Sequence, residues 1–377
     1  MKIIIIGAAY PLKGGLASFN ERLAKELSLF NDKEVEIYTF SLQYPSFLFP
    51  GKTQLSSDPA PNSLKIKVKI NSINPLNWIK VGNKINKLNP DLIIVKYWLP
   101  FMGPCYGTIL RKAKKSSKTK VISILDNIIP HEKRIGDRLF TKYFIKPVDG
   151  FISMSKSVLH DLSSFDTIKP TLFIPHPIYD NYGDAIDKNT AKTFLNISED
   201  EKIILFFGYI RKYKGLDLLL EAMHYQKIKE SNIKVLIAGE YYGNEKYYQE
   251  IIEKYNLHNQ VILHTDFIPN SEVKYYFSAA DCVVQPYKSA TQSGISQLAY
   301  HFETPMIVTN VGGLPEIVPH EKVGYVVPPN PQAIAKAILD FYEKNKQSEF
   351  KKNIKVEKKK YTWNRFTEKL LDFYKAL

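Results

Sequence analysis

The stretch "ILFFGYIRKYKGLDLLLEA", residues 204–222, decides how this chain is read. An apolar, strand-like run ends at Gly208, the cations Arg211, Lys212 and Lys214 follow, and an amphipathic run begins at Gly215. In an open α/β sheet, the turn between a buried strand and a helix lies at the carboxyl edge of the strands, where ligands bind. Cations in a loop are often plain solubilising residues. Three of them between a strand end and a helix start point instead to an anionic ligand.

The rest of the chain supports that setting. Short apolar strands recur at "KIIIIG", "VEIYTF", "DLIIVKY", "KVISIL" and "GFISMS", with helical or loop-rich segments between them. The rhythm restarts at "KIILFFG" and runs through "IKVLIAG", "QVILHT", "DCVVQP" and "TPMIVT". Two such series predict two doubly wound α/β domains, which suits 377 residues, more than one ordinary core can hold. Between them "IPHPIYDNYGD", residues 174–184, reads as a hinge, and the chain ends in two helical patterns.

Composition narrows the class further. Apolar residues make up 44 % and charged residues 24 %, as in globular proteins, and Cys105 and Cys282 alone give no disulfide framework. No apolar run reaches the ~18 residues of a membrane span. The opening "MKIIIIGAAYP" mimics a short signal peptide, but its apolar run is brief and leads into a Gly-Gly turn and a helical pattern. A reducing, cytoplasmic setting is expected.

The net charge of +14 is uneven: residues 1–180 carry 26 Lys+Arg and 14 Asp+Glu, whereas residues 181–377 carry 26 and 24. The densest piece, "RKAKKSSKTK" at 111–120, includes Lys112, Lys114 and Lys115, and it follows Tyr97, Trp98, Leu99, Phe101 and Met102. It reads either as a solvated helix end or as a patch for an anionic surface, whether membrane, nucleic acid or acidic glycan. Apolar and aromatic residues beside the cations favour the interface of an anionic membrane.

Familiar phosphate motifs are missing. The first strand leads into "GAAYPLKGG" rather than G-x-G-x-x-G, and neither a P-loop string nor a D-x-D pair occurs. No resident cofactor or metal is expected. Phosphates would then be met by backbone N–H groups and fixed cations, and three stretches offer them. Gly14 and Gly15 precede a helix; Gly208 to Gly215 frame the cations; Ser293 and Gly294 open the helix of "SATQSGISQLAYHF". A turn or an ordinary Ser cap explains the first or last alone, but not all three at strand ends.

With these stretches assembled, the chain resembles the retaining glycosyltransferases of family 4, over nearly its whole length. "GGLASFNERLAKEL" is similar to that family's first Gly-Gly loop and helix, "FFGYIRKYKGLDLLLEA" to its donor-binding segment, and "AYHFETPMIVTNVGGLPEIV" to the segment after the donor site. The resemblance implies the GT-B fold: an acceptor-binding Rossmann-like domain over 1–175, a hinge at 176–185, a nucleotide-sugar-binding domain over 186–358, and a terminal helix, 359–377, packing back on the first domain. It implies a donor site of Gly14, Gly15, Gly208, Glu240, Phe267, Ile268, Gln292, Ser293, Gly294 and Gln297. The donor would be a UDP- or GDP-linked sugar and the acceptor a glycan or lipid-linked molecule. Surface polysaccharide or lipopolysaccharide synthesis would be the setting.

Departures from the family mark a divergent branch. The positions of its two glutamates are Ala290 and Leu298, and where many members have a histidine beside the transferred sugar this chain has Asp126, with His131 and Glu132 close behind. Asp126 would accept hydrogen bonds from sugar hydroxyls, or else cap a turn. Breaking a sugar–diphosphate bond leaves negative charge on the diphosphate. Arg211 and Lys214 are the candidates to stabilise it, such preorganised groups being worth ~3 to 4 kcal/mol each. Lys212 is expected to face solvent. A binding protein of the same fold without catalysis is the alternative, and charge alone suggests a nucleic-acid binder.

Overall fold

The computed structural model describes residues 1–377 apart from 46–52, 57–58, 116–117, 131–133 and 166–167. The chain forms two compact units, Met1–Pro177 with Thr362–Leu377, and Ile178–Tyr361. Each unit is a fully parallel sheet flanked by helices.

In the first unit the order along the chain is β1 (Lys2–Ile6), α1 (Gly15–Ser28), β2 (Glu34–Leu42), β3 (Lys65–Asn71), α2 (Pro75–Leu88), β4 (Leu92–Tyr97), α3 (Gly103–Ala113), β5 (Lys120–Leu125), α4 (Asp137–Ile145), β6 (Gly150–Ser153), α5 (Lys156–Ser163) and β7 (Thr171–Phe173). The sheet runs β3-β2-β1-β4-β5-β6-β7. The central strands are continuous apolar runs because helices cover both their faces, so no alternation is needed. Residues Ile3 to Ile6 of β1 and Leu92 to Val95 of β4 are wholly buried and pair in register from Ile3 with Leu92.

The second unit contains α6 (Lys188–Phe194), β8 (Lys202–Phe207), α7 (Leu216–Met223), α8 (Gln226–Lys229), β9 (Ile233–Ala238), α9 (Glu245–Lys254), β10 (Val261–His264), α10 (Val273–Ala279), β11 (Cys282–Gln285), α11 (Gly294–His301), β12 (Met306–Thr309), α12 (Leu314–Ile317), β13 (Gly324–Val327), α13 (Pro331–Glu343) and α14 (Gln347–Glu357). Its sheet order is β10-β9-β8-β11-β12-β13, so the order reverses beside β8. The ends of β8 and β11 are therefore adjacent at a topological switch point, where open α/β sheets bind ligands.

The last helix, α15 (Trp363–Ala376), belongs to the first unit. Its Trp363 and Phe366 rings lie 5.1 and 5.8 Å from Phe19 of α1, and Lys120 of β5 donates to the Leu377 carbonyl at 2.9 Å. The stretch read as a hinge is packed on both sides of the unit boundary. His176 lies edge-on to Phe19 in the first unit, while Tyr179 and Tyr182 are buried in the second.

Phe366 is 1 % exposed and fills space against two aromatic rings. Phe366→Ala should lower unfolding stability of the first unit by about 3 to 5 kcal/mol in urea titrations. Leu29→Ala, at a side chain 68 % exposed, should change it by less than about 0.5 kcal/mol.

Candidate functional site

The loop from β8 to α7 carries the opening cations, and it is clamped to the loop after β11. Gly215 adopts φ +66°, and a Cβ there would lie 1.9 Å from the Pro286 carbonyl oxygen, so only glycine allows this approach. Lys288 N–H donates to the Tyr213 carbonyl at 2.7 Å, and the Lys288 ammonium pairs with Asp217 in the first turn of α7. Asp217 also accepts from the Tyr247 hydroxyl at 3.3 Å and suits the positive end of the helix dipole.

This clamp fixes Lys214. Its side chain is 9 % exposed, its ammonium lies 5.9 Å from the Tyr287 ring centre, and a Cβ on Gly208 would sit 3.1 Å from Nζ. No ion pair engages Lys214 or Arg211 among the described residues. Burial, and then the like charge of Arg211, lower the Lys214 pKa from 10.5 to about 7. Arg211 is exposed, with its guanidinium 4.6 Å from the Tyr242 ring centre, and Lys212 is exposed as expected.

Facing this ammonium is the start of α11. The same Cβ on Gly208 would touch Ile295 at 3.3 Å, which places the first turn of α11 beside Gly208 and Lys214. The Ser293 hydroxyl accepts from Ile295 N–H at 3.3 Å and is 3.2 Å from the Tyr287 hydroxyl. Gly294 is required because a Cβ would lie 2.8 Å from the Tyr179 ring. A helix N-terminus and a buried, unpaired cation on one side suit an anion by charge and by donors. Gln297, one turn into α11, is wholly buried with both amide atoms unpartnered among the described residues, each such group costing about 1 to 3 kcal/mol.

The other donor-site candidates ring the same strand ends. Glu240 follows β9, is 4 % exposed, and its carbonyl accepts from Ile210 N–H at 2.9 Å. Phe267 and Ile268 follow β10 and are half-buried; the Phe267 ring lies 6.4 Å from Tyr209, which in turn lies 4.2 Å from Tyr242. Gln292 is half-buried beside Ser293. Tyr209, Tyr242 and Tyr287 were not singled out from sequence; the run of tyrosines after β8 and β9 was the available signal.

In the first unit, Gly14 caps α1 at φ 99° and Gly15 is its first residue. Asp126 directly follows β5. Lys96 Nζ donates to it at 2.8 Å, with the two side chains 2 % and 13 % exposed. The Lys96 ammonium also sits 3.5 Å from the Phe19 ring centre. Burial, with the Lys96 charge, lowers the His176 pKa to about 3, so that imidazole stays neutral. Lys96 interrupts the apolar run "LIIVKY", a signal that sequence reading passed over, since buried lysines are almost always paired. His131 and Glu132 lie outside the described residues.

The basic patch requires a correction. Tyr97 and Met102 are wholly buried, and Trp98 and Phe101 pack on the same core, because they span the end of β4 and the turn into α3. Lys114 is tied to Asp149 and to the Pro147 carbonyl at 3.4 Å. Lys112 is half-buried and Lys115 exposed. The aromatic half of the expected membrane patch is thus core.

Residues 187–360 match the family described as Glycosyl transferases group 1. The second unit is similar to the glycosyltransferases. An uncharacterised glycosyltransferase of Methanocaldococcus jannaschii is 25 % identical over 100 % of the chain and 99 % of its own length. Another from the same organism is 28 % identical over 50 % of this chain and 48 % of its own, so the chain matches about half the length of that relative. Among solved structures, sucrose-phosphate synthase from Thermosynechococcus elongatus superposes with a TM-score of 0.78 at 17 % identity, over 100 % and 98 % of the two chains. Anabaena HepE in complex with UDP-glucose does so with 0.75 at 15 %, over the whole of both. These likenesses establish the GT-B fold of two parallel α/β domains.

The low pKa of Lys214 sets a pH dependence. A bound anion favours the ammonium, so above pH 7 binding must take up a proton. Affinity for a diphosphate diester, whose own charge is constant in this range, should fall as pH rises from 7 to 9, by at most about tenfold per unit. Lys214→Arg should flatten that slope. Calorimetry showing a pH-independent affinity in the unsubstituted protein would remove Lys214 from anion contact.

Proposed function

We propose that the chain is a retaining, metal-independent glycosyltransferase, a divergent member of family 4 without the paired glutamates. It takes a sugar from a UDP- or GDP-linked donor and passes it to a glycan or lipid-linked acceptor, in the cytoplasm, for surface polysaccharide or lipopolysaccharide. The observation that carries this reading is Lys214, a buried ammonium without a carboxylate partner, set against the first turn of α11. The complexes of HepE with UDP and UDP-glucose support a nucleotide-sugar donor.

On this reading the donor diphosphate lies between Lys214, Arg211 and the N-terminus of α11. As the bond from anomeric carbon to phosphate breaks, charge grows on the diphosphate, and the fixed cations stabilise it without reorganising. A leaving diphosphate oxygen takes the acceptor proton, so no separate base is required. Tyr209, Tyr242 and Phe267 offer apolar faces to the nucleobase at the ends of β8, β9 and β10. Asp126, oriented by its bond from Lys96, meets sugar hydroxyls as an acceptor.

Two measurements test this. In a thermal-shift panel of nucleotide sugars, at least one UDP- or GDP-linked sugar should stabilise the protein, by ~2.7 kcal/mol at 100 times its dissociation constant. Lys214→Ala should then lower turnover by about two orders of magnitude with the fold intact, and Arg211→Ala should do likewise. Lys212→Ala should change little. A Lys214→Ala protein transferring sugar at the original rate would refute the assignment.

A further inference from the structure

We propose that Tyr287 is a positioning residue: its phenol donates to the Ser293 hydroxyl and so turns the Ser293 hydrogen toward a phosphate oxygen beside Lys214. The proposal rests on the sugar-transfer reading in one respect, that the phosphate belongs to a donor diphosphate. The hydrogen-bond count behind it stands without that reading.

Hydrogens can be counted here because both hydroxyls are buried. Tyr287 is 4 % and Ser293 5 % exposed, so a hydrogen left without an acceptor is costly. A serine hydroxyl carries one hydrogen and two acceptor positions, and a phenol also carries one hydrogen. Ile295 N–H fills one acceptor position of Ser293 at 3.3 Å, which leaves the two hydroxyls, 3.2 Å apart, to satisfy each other. They can do so only once. If Tyr287 donates, the Ser293 hydrogen is left over; if Ser293 donates, the Tyr287 hydrogen is. Among the described residues no other side chain or carbonyl meets either hydroxyl.

A second pair, deeper on the same helix, closes on itself. The Gln285 amide of β11 donates to the Ser296 hydroxyl at 3.0 Å, and that hydroxyl donates back to the amide oxygen at 3.2 Å. The outer pair has no such return.

Tyr287 is fixed in place. Thr309, wholly buried at the end of β12, donates its hydroxyl to the Tyr287 carbonyl at 2.6 Å, and the Tyr213 ring stands edge-on to the Tyr287 ring at 6.2 Å. Burial holds the phenol above its ordinary pKa, so it keeps its proton. With the phenol donating, the remaining hydrogen belongs to Ser293, at the mouth of α11. The Lys214 ammonium lies on the other side of the same ring, 5.9 Å from its centre. The Ser293 hydrogen, the first N–H groups of α11 and Lys214 are all donors. A phosphate oxygen, which only accepts, answers all of them, whereas a sugar hydroxyl would bring one more hydrogen to place.

The test is calorimetry of the whole chain with inorganic pyrophosphate, UDP and GDP. Tyr287→Phe and Ser293→Ala should each weaken pyrophosphate binding about tenfold. The double variant should bind no more weakly than Ser293→Ala alone, because Tyr287 acts through Ser293. Tyr300→Phe removes another buried phenol from α11, one that donates to the Ile317 carbonyl at 2.6 Å. It should lower the melting temperature and leave affinity unaltered. In transfer assays Tyr287→Phe should lower kcat about tenfold and change the donor KM less than about twofold, since the contact strengthens as charge reaches the diphosphate. Pyrophosphate bound equally well by Tyr287→Phe would overturn the proposal. So would additive losses in the double variant, an equal loss in Tyr300→Phe, or no binding of any of the three anions. Pyrophosphate binding that needs both hydroxyls, in a protein that neither binds nor turns over nucleotide sugars, would uphold Tyr287 and remove the sugar-transfer reading instead.

Discussion

A buried ammonium without a carboxylate beside it is a costly arrangement, and much around Lys214 follows from tolerating that cost. Desolvation disfavours the charged form of Lys214, and Arg211 adds repulsion, which is why its pKa drops to about 7. The fold could have relieved this with a neighbouring acid. Instead the nearby carboxylate Asp217 is taken by Lys288, and that pair ties the loop after β11 to α7. Gly215 against Pro286 and Tyr213 against Lys288 hold the two loops so that Lys214 cannot swing away. A positive group kept uncompensated by its own scaffold is preorganised for negative charge from outside.

The first unit handles a buried lysine differently. Lys96 is as deeply buried as Lys214, but Asp126 accepts from it and Phe19 offers its ring face, so its charge is answered within the unit. The bond from Lys96 holds Asp126 in one orientation, while burial and then the Lys96 charge leave His176 neutral. The two units thus place opposite demands on the same residue type. One lysine positions an acid and the other lacks a counter-charge.

The alternation of strands and helices was legible because central strands of a parallel sheet are continuous apolar runs. The strands missing from the apolar series, β3, β7 and β13, are all sheet edges. β3 reads "KIKVKIN", with lysines on alternate positions that keep an exposed edge from pairing with other chains. β7, with three residues, is too short to stand out, whereas β13 is no shorter than β10 to β12. The strand-to-helix turns at Gly208 to Gly215 and Ser293–Gly294 were legible, because a helix start after a strand is a local pattern. What sequence did not give was pairing across distance: Lys96 with Asp126, Lys288 with Asp217, and the Tyr209–Tyr242–Phe267 cluster. Residues 97–102 misled because aromatics followed by lysines look like a linear membrane patch, whereas a strand end and a tight turn bury them. On the flanking helices Leu76 of α2 and Leu139 of α4 are exposed instead, where helical spacing disperses them along the sequence.

The most direct measurement is the titration of the Lys214 side chain by NMR, using ζ-nitrogen or ε-carbon labels and Lys214→Arg for assignment. The resonance should titrate near pH 7 in the free protein and move well above it, toward the ordinary lysine value, when a nucleotide diphosphate sugar is bound. A Lys214 that titrates at the ordinary lysine value in the free protein, or whose pKa is unmoved by ligand, would contradict the account.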